Sequence, residues 1–136
     1  MRKVCTKALL ALVLAVLLAA CGQTVREEDV VGRTYTYEKE GFGGNFAISL
    51  HEDGTFTYSE GVLSSHLGAG IWTLEDGVVT LREDSSSGNT RVNYFRADGE
   101  NLLFKQKDSD NFTYVSVFEG EKFFGEPDKY TVENKN

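Results

Sequence analysis

Asn45-Phe46-Ala47-Ile48-Ser49-Leu50-His51-Glu52-Asp53-Gly54-Thr55-Phe56-Thr57-Tyr58-Ser59-Glu60 sets the pattern for the chain. Phe46, Ile48 and Leu50 fall on one side of an extended backbone and Ala47, Ser49 and His51 on the other, the period of a half-buried strand. Asp53-Gly54 then separates this run from Thr55 to Glu60. Both residues of that dipeptide tolerate positive φ, so it suits a tight hairpin. Outward from this unit, Gly32 to Tyr37 precedes it. Gly70 to Leu74, Val78 to Arg82, Thr90 to Arg96, Leu102 to Lys107 and Phe112 to Phe118 follow, all rich in Thr, Val, Tyr and Phe. These runs predict eight strands and no amphipathic helix.

The turns fix the topology. Asp53-Gly54, Asp76-Gly77, Asp98-Gly99 and the looser Glu119-Gly120 recur every 21 to 23 residues. Between them lie longer connectors, Glu38 to Gly44, Gly61 to Ala69, Glu83 to Asn89 and Asp108 to Asn111. Strands shuttling between the two sets put tight turns at one rim and long loops at the other. The expected fold is all-β, an eight-stranded up-and-down antiparallel meander that closes into a barrel, with a two-layer sandwich as the alternative. Propeller blades are excluded, because the repeat holds two strands rather than four. The expected inward set is Tyr35, Phe46, Ile48, Leu50, Phe56, Tyr58, Trp72, Leu74, Val79, Leu81, Val92, Tyr94, Leu102, Phe104, Phe112, Tyr114 and Phe118.

The first twenty residues are a different object. Arg2, Lys3 and Lys7 precede an uncharged run from Ala8 to Ala20, the pattern of a secretory signal. As a helix that run would extend about 20 Å, short of the roughly 30 Å hydrocarbon core. Its end, Leu18-Ala19-Ala20-Cys21-Gly22, resembles the lipobox of bacterial lipoproteins. The resemblance implies that Leu18, Ala19 and Ala20 are read by the signal peptidase and that Cys21 receives diacylglycerol. At about 0.8 kcal/mol per buried methylene, two or three acyl chains hold a protein almost permanently. Residues 21–30 then read as the lipidated cysteine and a polar tether, residues 31–120 as the β domain and residues 121–136 as a polar tail. In that tail Phe123 and Phe124 add a packing contact, and Pro127 marks the chain leaving the sheet.

Of 136 residues, 21 are acidic and 14 basic; without the leader the body carries 11 basic residues against 21 acidic ones, a charge of about −10. That balance excludes nonspecific nucleic-acid binding, which needs Lys and Arg to displace counterions. It equally opposes docking on anionic lipid by surface charge. With Cys5 in the leader and Cys21 at its edge, the domain has neither a disulfide nor a thiolate ligand.

Asp53-Gly54-Thr55-Phe56, Gly70-Ile71-Trp72-Thr73-Leu74, Asp76-Gly77-Val78-Val79-Thr80-Leu81 and Asp98-Gly99-Glu100-Asn101-Leu102 together resemble the small bacterial lipocalin-like lipoprotein domains. Similar modules are appended to membrane sensor peptidases of Gram-positive bacteria, which implies an extracytoplasmic sensing or docking role. Copper-responsive lipoproteins of related shape carry a paired-cysteine motif that this chain lacks, so their metal role does not transfer.

His51 and His66 alone cannot complete a zinc site. Asp108-Ser109-Asp110-Asn111 fails the calcium-loop register, with Thr113 where glycine is required. Ser64-Ser65-His66 lacks an orienting acid and an oxyanion hole. Gly41-Phe42-Gly43-Gly44 and Gly68-Ala69-Gly70 lead into no helix and read as bends or bulges. What remains is the long-loop rim, where Phe42, Val62, Leu63 and Leu67 put apolar side chains into connectors. They serve either as a lid over the core or as a ligand mouth or partner patch, with Tyr58 and His66 as polar anchors. The expectation is a non-catalytic, membrane-anchored extracytoplasmic lipoprotein with no metal and no cofactor beyond the acyl lipid on Cys21. It would bind a small hydrophobic or amphipathic molecule or an envelope component; the alternative is a protein-interaction or sensor accessory module docking through the rim. It would sit on the outer side of the bacterial cell membrane, or on the outer membrane where one exists.

Overall fold

The computed structural model describes residues 24–38, 46–61 and 66–128. Strands β1 (Arg33–Tyr37), β2 (Phe46–Leu50), β3 (Thr55–Glu60), β4 (Leu67–Glu75), β5 (Val78–Asp84), β6 (Thr90–Asp98), β7 (Asn101–Phe104) and β8 (Lys122–Pro127) pair antiparallel in chain order. β8 returns to β1, with Tyr35 opposite Gly125, so the sheet is a closed eight-stranded up-and-down barrel. Closure leaves no edge strand exposed.

Alternation builds the interior as expected. Phe46, Ile48 and Leu50 are buried on β2, Phe56 and Tyr58 on β3, and Val79 and Leu81 on β5. Aromatic rings then meet across the barrel: Phe46 lies 4.7 Å from Phe112 and 5.3 Å from Phe123, and Phe95 lies 5.2 Å from Phe123. A barrel of eight strands is just wide enough for side chains to fill, and here they do. Two large rings fit because β4 gives way: Gly70 stands opposite Phe56 and Gly68 opposite Tyr58, where a Cβ would lie 1.8 Å from the phenol ring. Asp76 and Gly77 both take positive φ, 50° and 74°, and make the two-residue hairpin between β4 and β5.

Four expectations need correction. The eighth strand is Lys122–Pro127, not Phe112 to Phe118, so the domain extends past residue 120 into the segment read as a tail, and Phe123 is fully buried. The β7 to β8 connection, residues 105–121, instead crosses the long-loop rim. It holds one 3-10 turn (Gln106–Asp108), turns at Glu119-Gly120, inserts Phe112 and Val117 and leaves Tyr114 and Phe118 exposed. On β6 the inward residues are Asn93 and Phe95, not Val92 and Tyr94. Residues 24–30 are not a loose tether: Glu27–Val30 forms one helical turn (α1), Val30 is buried, and the Tyr35 hydroxyl donates to the Val30 carbonyl at 2.9 Å. With Thr24 and Val25 beside Asp76 and Gly77, this segment covers the tight-turn rim.

Candidate functional site

The inward phase that is apolar through the barrel body turns polar at the long-loop rim. Phe56 and Tyr58 are followed by Glu60, Val79 and Leu81 by Glu83, and Phe95 is preceded by Asn93 and Arg91. Residues two apart share a face, so these groups converge on the mouth.

Tyr58 is the hub. Its hydroxyl donates to Glu83 Oε2 at 2.9 Å, accepts from Arg91 at 2.8 Å and lies 3.3 Å from His66 Nε2. Burial, then the hydrogen bond to Glu83, pushes the phenol well above the ordinary tyrosine range against the opposing pull of Arg91. Tyr58 is therefore a neutral donor at physiological pH. The Arg91 guanidinium also donates to Thr113 Oγ1 at 2.9 Å and stands 3.7 Å from Glu83 and 4.0 Å from Glu60. One cation thus serves two carboxylates.

Glu60 has no exposed side-chain surface and accepts from three consecutive backbone amides, Thr113 at 3.1 Å, Tyr114 at 2.5 Å and Val115 at 3.2 Å. The crossing segment is stitched to β6 as well: Asp110 accepts from the Val92 amide at 2.7 Å, Asn93 donates to the Asp110 carbonyl at 2.7 Å, and Ser109 accepts from the Tyr94 amide at 2.8 Å. Among the described residues, the segment 105–121 crosses the rim as a strap fixed at both sides.

Beside the strap lies a cleft of about 490 Å³, lined by His66, Glu83, Ser85, Ser87, Asn89, Thr90, Arg91, Asp110 and Asn111. A smaller one of about 300 Å³, under Phe104, Phe112, Val115 and Val117, opens along the strap itself.

Of the rim residues expected from sequence, Tyr58 and His66 come together here. Leu67 lies at the same rim but faces outward from β4, 76% exposed. Phe42, Val62 and Leu63 lie outside the described residues, as do Leu18, Ala19, Ala20 and Cys21. Trp72 sits at the opposite rim, where its indole donates to the His51 carbonyl at 2.9 Å. His51 shares that far rim and bonds Thr57 at 3.3 Å. Among the described residues, no three His, Cys, Asp or Glu side chains are grouped to hold a metal ion, and no helix is long and apolar enough to cross a membrane.

Glu60, Glu83, Arg91 and Thr113 were not expected at the site. A signal existed for the two carboxylates, since each continues the inward phase of its strand after two apolar residues. No family model matches the chain, and no curated protein or solved structure matches it.

Proposed function

We propose that this chain is a lipid-anchored extracytoplasmic bacterial lipoprotein, of the small lipocalin-like kind, that binds an envelope component at its long-loop rim without catalysing a reaction. The observation that carries the reading is the division of the barrel into a filled apolar body and a polar, strapped mouth beside an open cleft. A filled body argues for contact at the rim rather than for a ligand carried inside. The geometry of the chain supports the orientation. With Cys21 lipidated, the anchor enters next to Thr24 at the tight-turn rim, and the cleft faces away from the membrane. Cys21 precedes Thr24 by three chain steps, at most about 10 Å, which would keep the barrel close to the bilayer.

A second reading, docking of a partner protein, draws on Leu67 and Ile71, which stand exposed on the outer face of β4 at 76% and 54%.

Native mass spectrometry of the full-length protein taken from its own envelope tests both. The expected mass is the chain from Cys21 plus acyl groups, with an envelope-derived adduct that Asn111→Ala removes. An adduct that survives Asn111→Ala and disappears in Leu67→Ser supports partner docking. The mass of an uncleaved leader would end the lipoprotein reading.

A further inference from the structure

We infer that the cleft between the β5–β6 loop and the strap is a binding site for a neutral sugar ring of an envelope glycan; this rests on the rim reading above and names its ligand class.

The charged groups of the cleft are already engaged. Glu83 accepts from Tyr58, the Asp110 carboxylate accepts from the Val92 amide, and Arg91 donates to Tyr58 and Thr113. The cleft also offers neutral groups: the side-chain amides of Asn89 and Asn111 have no hydrogen-bond partner among the described residues, and the Ser85 and Ser87 hydroxyls pair only locally, at 2.7 Å. Amides and hydroxyls both donate and accept. Their natural complement is a ligand dense in groups that do the same, which is a polyol ring.

The margin of the cleft supplies the other half of sugar recognition, a flat apolar face for C–H groups. Tyr114 is 55% exposed and its ring stands 6.3 Å from that of His66, which lines the cleft. The Tyr114 backbone is held by the hydrogen bond from its amide to buried Glu60, which fixes where the ring leaves the strap. A volume of about 490 Å³ falls within the range of small-ligand sites.

Saturation-transfer NMR on the full-length protein in detergent micelles tests the assignment, with tri-N-acetylchitotriose and maltotriose as probes and putrescine and trialanine as controls. We expect at least one trisaccharide to bind saturably in the millimolar range, and Tyr114→Ala and Asn111→Ala each to weaken it about tenfold. Both positions are exposed, and unchanged Trp72 fluorescence would show an intact barrel. Saturable binding of putrescine or trialanine in place of both sugars overturns the glycan assignment, as does sugar binding indifferent to both substitutions. If neither sugar binds while the Asn111-dependent envelope adduct persists, the glycan class falls and the rim reading stands. If the adduct is absent as well, both fall.

Discussion

Glu60 is a carboxylate whose nearest partners are backbone amides of a segment more than fifty residues away. It substitutes for the strand partner that Thr113 to Val115 lack, and its removal leaves three amides and part of the Arg91 charge uncompensated. Glu60→Ala is expected to cost about 3–5 kcal/mol, the range for breaking a buried charged network. Glu60→Gln, which keeps one carbonyl acceptor, should cost less. Urea unfolding reads both, and a loss below about 1 kcal/mol for the alanine variant would mean that the strap is held elsewhere. A pH prediction belongs at the same scale. Burial, reinforced by Glu121, raises the Tyr37 phenol from 10.0 to about 12, and Tyr35 and Tyr58 move in the same direction. The folded state therefore favours the neutral phenols. Their contribution is intact below pH 10.0 and is lost as pH rises through the folded values, past about 12. Tyrosinate absorbance should show a late group of phenols ionising together with unfolding. Ionisation of every tyrosine near pH 10.0, with the barrel still folded, would contradict the burial of these three.

Strap and closing strand divide the labour between two segments that look alike in composition. Phe112 to Phe118 has the stronger strand propensity, yet its amides at 113 to 115 are taken by a side chain, so it cannot ladder there. Lys122–Pro127 is short, carries charge at both ends and finishes on proline, but it supplies Phe123 to the core and Gly125 where the Tyr35 ring needs space. That is why the meander, the Asp-Gly hairpins and the core of β2, β3 and β5 were legible while the eighth strand was not. Arg91-Val92-Asn93-Tyr94-Phe95 hid its phase differently, with apolar residues on both faces of one strand. The site itself was half legible: Tyr58 on its strand and His66 in its loop stood out, whereas the strap that completes it depends on contacts across the barrel. Truncation after Gly120 is expected to abolish the cooperative fold, read by loss of dispersed amide NMR signals. A native-like spectrum from that fragment would show that β8 is dispensable. Gly125→Ala should cost about 1–3 kcal/mol or more, because its Cβ would meet the Glu100 carbonyl at 1.9 Å, backbone that cannot swing aside.

Taken whole, the molecule has two unlike ends. The tight-turn rim carries α1 and more acidic than basic residues, with Glu27, Glu28, Asp29, Asp98 and Glu100 beside Arg26 and Arg33. Charge does not bring that rim to an anionic bilayer, so the proposed lipid must do so alone. Cys21→Ala should therefore move the protein from the membrane fraction to the soluble one; retention in the membrane would mean that the leader stays on as an anchor. The opposite rim bears the cleft and the strap, which the proposed anchor would hold about one barrel length away from the membrane. Photocrosslinking in living cells tests this arrangement most directly, with a photoreactive residue placed in full-length protein at Asn111 or, in a separate variant, at Asp98. The proposed orientation predicts envelope-component adducts from position 111 and membrane-lipid adducts from position 98. Lipid adducts from 111, or envelope-component adducts only from 98, would contradict it.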